Sequence, residues 1–363
     1  MQLDTPELIH NIAKQAEKLA THSWEYGTLA QSLLEVFSPD ISVFSARSFP
    51  HSRAPVVDDT DTNRGLTFGK RHIKLDQPNL TGDEDSAADP ASLGVVAVLL
   101  GQVDPPYMAA AERQFATLVE NTPRMGNGAI SHKVRRAETW SDSVYMVPPF
   151  LAYYGMAKLD LTTIETAVKQ CQLYAELLQD PVQGLWRHIN GEHFKDGGFW
   201  STGNGWAALG MTRVLATLVN GGHGRHMIDR LLQPLKRLLD GVLLHPRDSA
   251  NLVRNYIGDR EVVWFGEVAG TAALTAVMYR VATLFPSELS EDHMAWTESS
   301  RVAVMQHVDS ETGKASPVVN MMDTKDPEPQ DASAEGQCFT LMMYAAHRDW
   351  LEAQAASGLL CDG

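Results

Sequence analysis

The sequence predicts an all-α chain built from paired helices, and three observations carry that reading. Apolar residues recur at helical spacing through most of the 363 residues, persuasive strands are few, and marked helices alternate with plainer, more charged ones. The marked helices open on aromatic or glycine-rich strings: SWEYGTLAQSLL at 23–34, TWSDSVYMVPPF at 139–150, GFWSTGNGWAALGM at 198–211, VWFGEVAGTAALTAVM at 263–278 and SAEGQCFTLMMYAA at 333–346. Such recurrence is expected of helical hairpins arranged in a ring with the marked helices inside. It is equally expected of an ordinary α-solenoid whose aromatic residues are core. Periodicity alone leaves both open.

In chain order, an amphipathic pattern predicts a helix at 6–20, and the first marked string predicts one at 25–37. Asp89-Pro90 reads as a cap with proline at the first helical position, opening a helix at 91–103. Plain helices follow at 107–120, 162–179, 224–243 and 292–308. They interleave with marked ones at 141–158, 203–219, 266–285 and 334–352. The count is eleven, or twelve if a short helix is hidden. Small residues in the marked set, among them Gly203, Gly205, Gly266, Gly270 and Gly336, let helices or a ligand approach closely. The longest connection, 38–90, holds FPHSRAPVVDDTDTNRG and LTGDEDSAADP. We expect it to be an ordered insertion at the rim of a single domain spanning 1–363.

A hydrophobic content of 44% supports a large core, and the formal charge of −15 argues against nucleic acid or an anionic membrane surface as partner. Cys171, Cys338 and Cys361 are far apart and form no CxxC, so neither a disulfide framework nor a zinc site is expected. The amino-terminal stretch lacks the apolar centre of a signal peptide, and no apolar run reaches membrane-span length. The expectation is a soluble, cytoplasmic protein with no cofactor and no metal.

Candidate chemistry centres on WSDSVYMVPPF at 140–150, where Asp142 sits among aromatic and apolar residues just after the basic run His132-Lys133-Val134-Arg135-Arg136. Desolvation raises a carboxyl pKa, as a general acid near neutral pH requires; an aspartate here could equally cap a helix. On a helix, Tyr145, Met146 and Phe150 share adjoining turns of that face. Asp89 reads as a cap and Glu335 as a first-turn partner of the helix dipole, whereas Glu267 is bracketed by large apolar residues. The basic run, joined by Arg187 and His188, is either a solvated face or a receiver for a carboxylate-bearing substrate. Trp24, Trp140, Trp186, Trp200, Trp206 and Trp264 all fall at or just before marked helices, as sugar-stacking walls of one cleft would. No GxSxG, P-loop, dinucleotide fingerprint or HExxH occurs.

WSDSVYMVPPFLAYYG, GLWRH and FWSTGNGWAALGM, in this order and spacing, resemble glycoside hydrolase family 105, the unsaturated rhamnogalacturonyl hydrolases. More distantly they resemble the unsaturated glucuronyl hydrolases of family 88. The resemblance runs from about Trp24 to the carboxy-terminal EGQCFTLMMYAAHRDW. It implies an (α/α)6 barrel of six helical hairpins, and hydration of the C4=C5 double bond of a terminal unsaturated uronic acid on an oligosaccharide. It implies Asp142 as general acid and base, with Asp89 and His188 positioning water and sugar hydroxyls. It further implies substrate contacts from His132, Lys133, Trp140, Trp200 and Trp206. To these the reading of the residues adds Trp24, Arg135, Arg136 and Tyr145.

One departure stands out: the arginine of the family's WxRGxGW motif is Thr202 here. Arg135, Arg136, Arg187 and Lys133 are the substitutes for holding a substrate carboxylate. Two other readings stay open, a six-hairpin glycosidase acting on saturated sugars through two carboxylates, such as Asp142 with Glu267 or Asp89, and a non-catalytic sugar-binding protein.

Overall fold

The computed structural model describes residues 5–358, so Cys361 lies outside the described residues. The chain runs through α1 Pro6–Leu19, α2 Ser23–Phe37, α3 Arg64–Lys70, α4 Gly94–Gly101, α5 Pro105–Ala116, α6 Ser143–Lys158, α7 Leu161–Leu178, α8 Ser201–Asn220, α9 Arg225–Leu243, α10 Val268–Leu284, α11 Glu291–Gln306 and α12 Ala334–Ala356. The even-numbered helices touch one another in sequence and α12 returns to α2, which closes a ring. Each odd-numbered helix packs outside it against an even-numbered neighbour. This is an (α/α)6 barrel, and closure decides against the open solenoid.

The two layers differ as their sequences require. Inner α8 is buried continuously from Ser201 to Leu218, so its apolar and small residues show no single face. Outer α9 buries Met227, Ile228, Leu231, Leu232, Leu235, Leu238, Leu239 and Val242, one stripe at three- and four-residue spacing. Each such leucine contributes roughly 1.5–3 kcal/mol when removed from water.

Proline and glycine set a close contact between α6 and α8 near the candidate site. Pro148, inside α6, has no N–H to return to the carbonyl of Val144. Gly210 of α8 packs over that carbonyl, where an added Cβ would lie only 2.0 Å from the oxygen. Deeper in the ring, Glu35 of α2 meets both Arg213 of α8 and Arg280 of α10, and Arg280 also pairs with Asp349 of α12. Removing one partner from such a buried set costs about 3–5 kcal/mol, because a charge is left uncompensated.

All eleven predicted helices occur within a few residues of their expected bounds, although the one predicted at 91–103 begins as a 3-10 turn, Asp89–Leu93. The twelfth, α3, lies within the 38–90 connection. It is two turns long, Asn63 caps it by accepting from the Leu66 amide, and Gly65 and Gly69 bring it against α2 and α4. Two glycines in seven residues erase the periodicity that would have announced it.

At the mouth, short extended segments rather than helices set the side chains. β1, Thr139–Trp140, pairs antiparallel with β2, Ile189–Asn190, and the Ser141 amide donates to the His188 carbonyl at 2.9 Å. Isolated bridges join Ser86 to Lys133, Ile189 to Asp196 and Trp200 to Tyr256. Segments distant in sequence thus meet around the amino-terminal ends of the inner helices.

Candidate active site

A cavity of about 530 Å³ opens at that mouth. Asp142, Asp89 and His188 line it, as do Trp24, His132, Lys133, Trp140, Trp200 and Trp206.

Asp142 immediately precedes α6, in helical conformation, and its carboxylate forms no cap bond. It accepts instead from the Ser141 hydroxyl at 3.1 Å, and Oδ2 lies 3.7 Å from Nε2 of His188. Burial pushes its pKa up, against the opposing pull of His188. His188 Nδ1 lies 3.1 Å from Oδ2 of Asp196. Asp196 also accepts from the Tyr256 hydroxyl at 2.6 Å and the Gly198 amide at 3.0 Å, and Lys325 Nζ lies 3.2 Å away. Burial alone would raise the Asp196 carboxyl, but the bonds from His188, Tyr256 and Gly198 prevail and hold it below the usual carboxylate range. The two aspartates flanking one imidazole are therefore driven in opposite directions. One favours holding a proton and the other stays ionised.

A second group lies beside the first. Asp89 begins its 3-10 turn without capping it, 3.8 Å from Nε2 of His132, and burial pushes it up to about 7. His132 Nδ1 meets the Ser143 hydroxyl at 2.9 Å. Burial, reinforced by Lys133 and His188, lowers His132 well below the usual histidine range, so it is neutral. Its ring stacks on Trp140 at 4.6 Å, and the Lys133 ammonium lies 5.0 Å from the centre of the same indole. Lys133 is itself paired with Asp85 at 2.6 Å.

Four expected contact residues stand outside the lining. Tyr145 is fully buried against the edge of Trp206 at 4.7 Å and beneath the Arg213 guanidinium. Thr202 is fully buried and donates to Glu267 at 2.9 Å. Arg135 and Arg136 are exposed; Arg136 lies 5.8 Å from the ring of Phe194 and 3.8 Å from Glu138. Arg187 is held by Asp180 at 2.7 Å. Trp186 and Trp264 are packed away from the cavity. Glu267 caps α10, accepting from Ala269 at 2.9 Å, Gly270, Thr202 and Val319.

Sequence reasoning overlooked Asp196, Lys195, Lys325 and the Met321–Thr324 segment, all of which line the cavity. Asp196 sits in the unremarkable string GEHFKDGGF, and only the bridge from Ile189 folds it back on His188. Glu335 also lines the cavity. Its first-turn position invited the dipole reading, although it opens one of the marked helices expected on the inside of the ring. Among the described residues no group of three or more His, Cys, Asp or Glu could hold a metal ion, and no helix is long and apolar enough to cross a membrane.

The family model described as Glycosyl Hydrolase Family 88 matches residues 59–241, which span α3 to α9 and include Asp89, Asp142 and His188. The chain belongs to glycosyl hydrolase family 88. A curated relative, unsaturated rhamnogalacturonyl hydrolase YesR of Bacillus subtilis (strain 168), is 25% identical over 238 residues. That match covers 62% of this family 88 chain and 65% of the relative, just under two thirds of its length. Among solved structures, a possible member of GH105 family from Salmonella enterica serovar Paratyphi A superposes with a TM-score of 0.73 at 13% identity, over 94% of this chain and 92% of that one. A family 105 glycoside hydrolase from C. acetobutylicum gives 0.69 at 15% identity, over 94% and 98%. These likenesses describe the barrel shared by the family 88 chain and its neighbours.

Proposed function

We propose that this protein hydrates the C4=C5 double bond of a terminal unsaturated uronic acid and so releases that sugar from an oligosaccharide. The observation that carries the reading is the Asp142–His188–Asp196 line: a buried carboxyl inclined to hold a proton, beside an imidazole anchored by a carboxylate inclined to lose one. The name of the YesR relative and the tryptophan-lined cavity support the substrate class. Residues at the amino-terminal ends of α2, α6, α8 and α12 line that cavity, and these helix ends favour an anionic substrate despite the negative net charge.

In this mechanism the Asp142 proton passes to C4 and the double-bond electrons form the new C–H bond, leaving cationic character at C5 and the ring oxygen. Water adds at C5 and gives its proton to the Asp142 carboxylate, which restores the acid. The hemiketal then opens to a C5 ketone, and the hemiacetal at C1 expels the neighbouring sugar as an alcohol. Asp89 and His188 orient the water and the hydroxyls. Lys133, Lys195 and Lys325 are the lysines lining the cavity, and they take the place sought for the arginine that Thr202 replaces.

The test is loss of the ultraviolet absorbance of the enol ether on unsaturated galacturonyl-rhamnose and unsaturated glucuronyl disaccharides. Absence of any loss, with hydrolysis of saturated glycosides instead, establishes the two-carboxylate reading. For that reading Glu267 is poorly placed, since its oxygens already take four hydrogen bonds.

A further inference from the structure

One wall of the cavity carries chemistry that the Asp142 centre does not use. Glu335, in the first turn of α12, is 1% exposed and lines the cavity. Its Oε1 accepts the Trp24 indole N–H at 2.6 Å, while its Oε2 is buried with no hydrogen-bond partner among the described residues. Buried polar atoms are rarely left so, which makes this oxygen a candidate ligand contact.

The proton balance of this wall follows from its neighbours. Glu25 of α2 accepts the amides of Thr21 at 2.5 Å and His22 at 2.7 Å. Burial, and then the charge of Glu25, push Glu335 up to about 8. The other titratable or charged groups around it are Cys338 on its own helix and, along the cavity, His22, Asp83 and Lys325. At neutral pH Glu335 is a neutral acid with an O–H to donate, which an ionised carboxylate lacks.

Its position fits a second sugar. In the inner ring α12 and α6 stand three places apart, so Glu335 and Asp142 enter the cavity from facing sides. Trp206, in the same lining, bridges the two helices, against Tyr145 of α6 and Phe339 of α12. Trp24 is fixed at its indole nitrogen by Glu335, and His22 stacks on it at 4.5 Å.

We propose that Glu335 is a sugar-binding residue, donating a hydrogen bond to an oxygen of the saccharide unit that lies against Trp24, next to the unit reacting at Asp142. This rests on the functional reading above for the choice of oligosaccharide.

The experiment follows KM and kcat on unsaturated galacturonyl-rhamnose across neutral and alkaline pH for the wild type, Glu335→Gln and Glu335→Ala. In parallel, quenching of tryptophan fluorescence reports Kd for the same disaccharide. For the wild type, KM and Kd rise about fivefold or more as pH passes through the Glu335 pKa, since a donor is lost and a charge gained. Glu335→Gln, neutral and isosteric, keeps the wild-type KM at neutral pH and loses the alkaline rise. Glu335→Ala has the weakened KM at every pH, with kcat within about twofold of wild type at saturation. An alkaline rise unchanged in Glu335→Gln overturns the proposal, and should the alanine variant fail to fold the glutamine variant decides alone. If the disaccharide binds without turnover, the functional reading fails while the Kd series still judges Glu335. If wild type does not bind it at all, both fail.

Discussion

Asp196 Oδ2 lies 3.1 Å from Nδ1 of His188, and this contact turns the other ring nitrogen toward Asp142. A carboxylate can only accept, so Nδ1 carries the proton it donates and the tautomer is set. The Tyr256 hydroxyl and the Gly198 amide keep Asp196 itself ionised and in place.

Asp196→Asn is therefore expected to lower kcat on the unsaturated disaccharide by roughly ten- to a hundredfold while changing KM little, because the asparagine can present an N–H to Nδ1 and reverse the tautomer. The enol-ether absorbance assay reads it directly. A variant with wild-type kcat would remove His188 orientation from the mechanism.

Asp142 and Glu267, the two acids that sequence reasoning found hardest to dismiss, part company in the fold. Asp142→Asn is expected to cut turnover by about 10²–10⁴ with an unchanged thermal midpoint, since no cap bond is lost. Glu267→Ala is expected to cost about 1–3 kcal/mol of stability, leaving buried amide donors and the Thr202 hydroxyl unpaired, and to retain chemistry in whatever fraction folds. Paired melting and single-turnover measurements separate the two effects. A stable, inactive Glu267 variant would reverse the assignment.

This contrast marks how far the string could be read. The barrel was legible because α8 and α9 carry opposite burial patterns, and because the marked helices repeat at each return to the inner ring. Asp142 was legible from its apolar neighbours. Asp196 and Lys325 were not, since their contacts with the His188 group depend on loop closure over separations of 8 and 129 residues that no local periodicity records. Nor did the string reveal that Tyr145, one turn into α6, faces Trp206 and Arg213 within the core.

Stability should fall as pH rises from about 7 to about 9, a window above the ordinary histidine range in which the buried, neutral His132 no longer opposes the carboxyls. Glu335 and Asp89 have folded pKa values pushed up, to about 8 and about 7, so the folded state binds more protons than the unfolded chain above the ordinary carboxylate range. Their stabilising contribution is complete below the unfolded pKa values and is lost as pH climbs through the folded ones. Thermal melts at about pH 7 and about pH 9 are expected to show a lower midpoint at the higher pH, and Glu335→Gln to flatten part of that difference. An equal fall in the variant would place the effect elsewhere.

For the unsaturated uronyl substrate proposed above, the carboxylate should be held chiefly by Lys195. Lys133 already pairs with Asp85 at 2.6 Å and Lys325 with Asp196 at 3.2 Å, so either must weaken an existing contact before it serves a new anion. Lys195 lines the same cavity with no ion-pair partner among the described residues. Its charge is therefore available without that exchange, although it is exposed and salt screens it. Lys195→Met is expected to raise KM for an unsaturated uronyl disaccharide about three- to tenfold at low ionic strength, to leave kcat near wild type, and to lose this difference as salt is added. Lys325→Met should instead disturb kcat, because Lys325 touches the aspartate that anchors His188. If Lys195→Met leaves KM unchanged and Lys325→Met raises it, the carboxylate is bound on the Met321–Lys325 side of the cavity, and Lys325 trades Asp196 for substrate when the sugar arrives.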